Sequence, residues 1–190
     1  MNTKLKWIFI TAITLFQCLA CYSATITLKK ASGSDDDHIS ISGEITNGDA
    51  EKFKEIAFRS AKAIVYLEGP GGDLGDAIRI GRLVNALGYM TAVKDTKCAS
   101  ACALIWLAGH FKFLSPNAQV GFHLPSYNED NKKVNKNIRV VYALTGVYLA
   151  NLGFPEPFVA YMLDSDNDQI KWLTRGNAKL FGVTTFELKP

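Results

Sequence analysis

The chain has 190 residues, 48% of them hydrophobic and 21% charged, and a net charge of +3. That is enough apolar chain for one domain with a proper core, and it excludes a disordered or fibrous protein. No Lys/Arg-rich block stands out, so nothing in the charge pattern suggests a nucleic-acid partner.

The first segment reads as a secretory signal. "MNTKLK" is a short basic region, and "WIFITAITLFQCLA" is an apolar run of 14 residues, too short to span a bilayer comfortably. The small residues of "CLACYSAT" suit cleavage at Ser23↓Ala24. Residues 1–23 are therefore expected to be a signal peptide and 24–190 one exported domain without an integral membrane span. Two alternatives stand beside this: a retained anchor, and a lipoprotein attached through Cys21, although Cys18 occupies the place usually held by Leu. Loss of Lys4 and Lys6 reduces the 21 basic residues to 19, against 18 acidic ones. Only Cys98 and Cys102 then remain of the four cysteines. Export permits a disulfide between them. Residues four apart on a regular helix hold their Cβ atoms about 5–6 Å apart, however, where a disulfide wants roughly 3.5–4.5 Å. A bridge requires Cys98 to sit in the turn before the helix; otherwise the pair are two buried thiols.

Taken in order, "KKASGSDDDH" is a charged loop, and "ISISGEIT" alternates Ile39, Ile41, Gly43 and Ile45 as a half-buried strand does. "GDAEKFKEIAFRSAK" places Phe53, Ile56 and Ala57 on one helical face, with Asp49 as the expected N-cap. "AIVYLEG" is a buried strand. "DLGDAIRIGRLVNALG" is a helix carrying Leu74, Ala77, Ile78, Gly81 and Val84 on its inner face and stopping at Gly88. "YMTAV" is a strand, "CASACALIWLAG" a helix, and "FKFLSPNAQVGFHLP" two short strands about a turn. "NEDNKKVNKN" reads as loop or a frayed helix start. "IRVVYALTGVYLANLG" and "EPFVAYML" are two helices, and "WLTRGNAKLFGV" is a short helix with a last strand. Strands and helices alternate throughout, which indicates an α/β fold with substantial parallel pairing.

Three segments could carry chemistry, each weak alone. The glycines of "EGPGGD" allow a tight turn with unobstructed amides, but the stretch is neither a Walker loop nor a dinucleotide fingerprint. Ser100 lies at a helix start, where serine is usually a cap. His123 ends an apolar strand, and only His38 and His110 could otherwise serve as a base.

Together they are specific. "GPGGD", "CASACALIWLAG" and "GFHLP", in this order, resemble the ClpP-like serine peptidases of the crotonase superfamily, and most closely their exported, periplasmic members. Gly72 precedes Ser100 by 28 residues and His123 follows it by 23, close to the family's separations of about thirty and about twenty-five. The resemblance runs from about Ile39 to Val183. It implies a single-domain spiral of β-β-α units, with Ser100 as nucleophile and His123 as general base. The backbone amides of Gly72 and Ala101 would then be the oxyanion hole. It also implies a peptide or protein substrate, homo-oligomers and a periplasmic location. No cofactor or metal is expected for this chemistry.

The acid is where the pattern departs. The family's Asp lies shortly before an aromatic-Leu-Ser/Thr segment, here "WLT", yet two residues before Trp172 stands Ile170. Asp168 is the nearest candidate, with Asp166 and Asp164 behind it in a segment that reads equally as a solvated loop. A Ser–His dyad and a non-catalytic scaffold on the same fold both stay open. Export argues against an acyl-CoA-handling relative. Lys94 and Lys97 are too near Ser100 in sequence to judge as bases.

Overall fold

Alternating isoleucines make the first pairings. The computed structural model describes residues 23–33, 35–123, 132–163 and 170–188, with backbone alone for 132–137. In β2 (Asp37–Ser42), Ile39 and Ile41 are buried and the residues between them face outward. On one side β2 meets β1 (Thr25–Lys29) antiparallel, and on the other β3 (Ala63–Glu68) parallel, with Ile39 opposite Val65 and Ile41 opposite Leu67. β4 (Met90–Val93), β6 (Lys112–Leu114) and β9 (Phe186–Glu187) continue the parallel run. The result is a six-stranded sheet in the order β1-β2-β3-β4-β6-β9.

A second sheet, of order β5-β7-β8, joins β5 (Lys97–Ala99) to β7 (Gln119–Phe122) in parallel and β7 to β8 (Lys171–Leu173) antiparallel. Isolated bridges Gly69↔Cys98 and Ile45↔Gly72 extend it past β5. The chain thus repeats one unit: a strand in the large sheet, a short strand or bridge beside it, then a helix. The helices are α1 (Asp49–Ala57), α2 (Leu74–Ala86), α3 (Ala101–Leu107) and α4 (Lys132–Asn151), followed by α5 (Glu156–Leu163). Parallel neighbours need such crossovers. This is the α/β spiral of β-β-α units the motifs implied.

The interior is built around α3, none of whose seven residues is more than 5% exposed. A helix buried on every side needs no polar face, which accounts for "ACALIWL". The Tyr148 hydroxyl of α4 donates to the Leu104 carbonyl at 2.9 Å, and burial pushes its pKa well above the ordinary phenol value. Its ring lies over Gly81 of α2, where a Cβ would meet the hydroxyl oxygen at 1.9 Å.

Two local expectations need correction. The N-cap of α1 is Gly48 rather than Asp49. The amides of Gly48 and Ala50 donate to Asp76 of α2, at 2.7 and 3.1 Å, so the cap is supplied across the fold. Asp49, fully buried, instead gathers Lys52, Ser23 and Thr46. Burial alone would raise its pKa, but those donors outweigh it and hold it below the ordinary carboxylate value. Secondly, "KWL" is itself a strand, followed by a 3-10 turn at Ala178–Phe181, because pairing with β7 covers Leu173. α4 begins at Lys132, inside the polar stretch that reads as loop or a helix start. No described helix is long and apolar enough to cross a membrane.

Candidate active site

The polypeptide makes a sharp elbow between β5 and α3, with Ser100 at its tip. Ser100 has φ 55° and ψ −124°, and Asp95 is the only other described non-glycine residue at positive φ. Such a conformation costs on the order of 1–3 kcal/mol and persists only where its surroundings over-determine it. The surroundings are visible. The Ala99 amide donates to Gly69 O at 2.9 Å, and the Ser100 amide to Gly121 O at 2.8 Å. Gly71 lies directly against the elbow: a Cβ there would stand 2.8 Å from Ala99 O and 2.9 Å from the Ala101 nitrogen. Two residues to either side of Ser100, Cys98 and Cys102 form a disulfide with their Cα atoms 5.3 Å apart. Cys98 does precede the helix, lying in β5, and this makes the bridge geometrically accessible.

Although Ser100 occupies the N-cap position of α3, its side chain makes no capping hydrogen bond. The hydroxyl is not spent on the helix. Its backbone carbonyl instead begins the helical ladder, accepting from Ala103 at 3.0 Å.

A cavity of about 80 Å³ opens at the elbow, lined by Gly72, Ser100, Ala101 and His123 together with Leu74, Leu104, Phe122, Val141, Thr145 and Met162. Of the five residues expected as nucleophile, base, acid and oxyanion hole, the four with described positions thus meet at one hollow: Ser100, His123, Gly72 and Ala101. The fifth role, the acid, falls on Asp168, which with Asp164 and Asp166 lies outside the described residues.

Gly72 sits opposite Ile45, whose amide donates to Gly71 O and whose carbonyl accepts from the Asp73 amide, so Gly72's own amide faces away from that pairing. A Cβ on Gly72 would meet Ile45 O at 2.1 Å, so only glycine fits. Among the described residues neither the Gly72 nor the Ala101 amide has a backbone acceptor. His123 follows the last residue of β7 and is half-buried. Among the described residues no hydrogen bond joins its ring to Ser100, although both line the cavity. His38 and His110 are exposed and line no part of this cavity. Neither Lys94 nor Lys97 lines it either, and the Lys97 ammonium lies 5.0 Å from the centre of the Trp172 ring.

The sequence reading missed the far wall. Val141 and Thr145 come from one face of α4 and Met162 from α5, and their helical spacing alone does not say which face turns toward Ser100. Thr145 is buried, and its hydroxyl oxygen has no hydrogen-bond partner among the described residues. Those residues contain no group of His, Cys, Asp or Glu arranged to hold a metal ion. A hydroxyl, an imidazole and two free amides around an apolar hollow are the parts that acyl transfer through a serine requires.

No family model and no curated protein sequence matches the chain. Among solved structures, a mutant of ClpP1 from Listeria monocytogenes matches with a TM-score of 0.62 and 20% sequence identity, covering 80% of this chain and 91% of that one. The fold is ClpP-like.

Proposed function

We propose that this chain is an exported serine hydrolase of the peptidase type. Ser100 Oγ attacks a carbonyl carbon, and His123 takes its proton and later delivers it to the leaving group. The amides of Gly72 and Ala101 hold the oxyanion, and Asp168 orients the imidazole. One observation carries the reading: Ser100 is held at φ 55° with its hydroxyl released from capping, at a cavity it shares with His123. A serine kept only for structure has no reason to bear that backbone strain.

Reaction with a fluorophosphonate tests this. Stoichiometric labelling of the wild-type chain, lost in Ser100→Ala, is the expected result. Silence at millimolar reagent would leave the same fold serving as a binding scaffold.

The apolar surroundings of the hollow suit a peptide or protein substrate. Val140, Leu144 and Val147 lie along the outer face of α4 and are 51%, 48% and 55% exposed, and we assign this stripe to contact with a second copy of the chain. The domain proper is residues 24–190, released into the periplasm by cleavage before Ala24, with a lipid on Cys21 as the alternative. The Ala24 nitrogen lies 3.3 Å from the carboxylate of buried Asp49, and cleavage before Ala24 would remove the Ser23 hydroxyl from that carboxylate's donors. Intact mass of the exported chain decides between the two.

A further inference from the structure

The disulfide brackets Ser100 symmetrically, two residues on each side, and closes a ring of backbone with the strained residue at its centre. We propose that Cys98 and Cys102 are positioning residues, whose bond holds the elbow in its reactive conformation. On this view Ser100 becomes competent only in a chain that has folded under oxidising conditions. The proposal rests on Ser100 being the nucleophile.

Loop length separates this role from ordinary stapling. The unfolded-state entropy removed by a cross-link grows with the logarithm of the residues enclosed. The two cysteines here are only four apart in sequence, so the bond adds less to the fold as a whole than one closing a long loop would. What it restricts is the backbone between them, and that backbone contains Ser100. The elbow's other restraints are the amide hydrogen bonds from Ala99 to Gly69 and from Ser100 to Gly121, the first helical bond from Ala103 to the Ser100 carbonyl, and the close approach of Gly71; all are non-covalent. The bond from Cys98 in β5 to Cys102 in α3 spans the turn between these elements directly.

Burial determines when the bond can change. Cys98 is 0% and Cys102 2% exposed, so no external thiolate reaches either sulfur while the domain stays folded. The redox state is set during folding rather than toggled afterwards. A small disulfide in the surrounding medium serves as oxidant: both thiols lose their protons, the Cys98–Cys102 bond forms, and the two electrons reduce the small disulfide to two thiols. A chain that folds before meeting such an oxidant keeps a slack elbow and an unreactive serine.

The test refolds the full domain from denaturant, once with glutathione disulfide and once with excess dithiothreitol. Fluorophosphonate labelling of Ser100, thermal unfolding, and amide hydrogen exchange across 97–104 are then measured. The expected result is labelling at least tenfold slower in the reduced chain, recovered after unfolding and refolding with oxidant, while the melting temperature falls by only several degrees and the reduced chain stays folded at the labelling temperature. Cys98→Ala/Cys102→Ala should label at the slow rate under both conditions and ignore the oxidant. The reduced wild-type chain carries the test if that variant folds poorly. Equal labelling of folded oxidised and reduced chains overturns the proposal. If even the oxidised chain does not label, the nucleophile assignment has failed instead. Hydrogen exchange still judges the clamp: faster exchange across 97–104 on reduction upholds it, and unchanged exchange overturns it.

Discussion

Gly71 and Ser100 are so close that no side chain fits between them: a Cβ built on Gly71 would lie 2.6 Å from the Cβ of Ser100. Gly71→Ala must therefore push the elbow aside and also place a Cβ at φ 111°. We predict a loss of about 2–4 kcal/mol in denaturant unfolding, from strain and overpacking together, and slower labelling of Ser100. Gly33→Ala is the control, since Gly33 has φ 72° with nothing within 4 Å of its added Cβ. It should cost only about 1–2 kcal/mol of backbone strain and leave labelling intact. Equal effects of the two substitutions would show that contact with Ser100 is immaterial.

Ser100→Ala and His123→Ala should reduce hydrolysis to the same floor, and the double variant should be no worse, because nucleophile and base act as one unit. His110→Ala should be near neutral, as its side chain is exposed and away from the cavity. An essential His110 with a dispensable His123 would reverse the assignment of the base. Asp168→Asn should cut turnover strongly with little effect on binding if it fixes the imidazole's tautomer, whereas Asp164→Asn and Asp166→Asn should matter much less.

Thr145 gives a prediction of opposite sign. Its hydroxyl is buried without a hydrogen-bond partner among the described residues, so Thr145→Val replaces an unsatisfied group with a methyl of similar size. Stability should rise by about 1 kcal/mol in chemical denaturation. A loss of that size would mean that the hydroxyl has a partner in solution.

Asp37 predicts the shape of the acid limb. Hydrogen bonds from Lys30, Ser60 and the Ala31 amide lower its pKa from 3.8 to about 2. A carboxylate depressed on folding adds stability that is complete above its unfolded pKa and is lost as pH falls through the folded one. The contribution of Asp37 should therefore be intact above about pH 4 and disappear toward pH 2. Asp49 and Asp76, also held below their ordinary values, act in the same direction. Asp37→Asn should make the decline of melting temperature across that window shallower without abolishing it. An unchanged slope would show that the pairing persists in the unfolded chain or is too weak to matter.

Features that depend on neighbours along the chain were legible in the residues alone. Alternation placed Ile39 and Ile41 inward, helical spacing buried Ala77, Ile78 and Val84, and Gly88 ended α2 with φ 68°. The order of the Gly-Gly turn, the serine segment and the histidine strand was enough to indicate a ClpP-like spiral and to name Ser100, His123, Gly72 and Ala101, which the fold brings to one cavity. Features that depend on contacts between distant segments emerge only once the chain is folded. Asp76 caps α1 from another helix, Gly71 is pressed against an elbow that follows it by nearly thirty residues, and α4 turns Val141 and Thr145 toward Ser100 while leaving Val140 and Leu144 outside. The disulfide belongs with these. Two cysteines at i and i+4 can bond only when a strand-to-helix turn falls between them, and that turn is made by its pairing with Gly69 and Gly121. Periodicity is a property of adjacent residues, whereas register and helix rotation follow from packing the whole core at once.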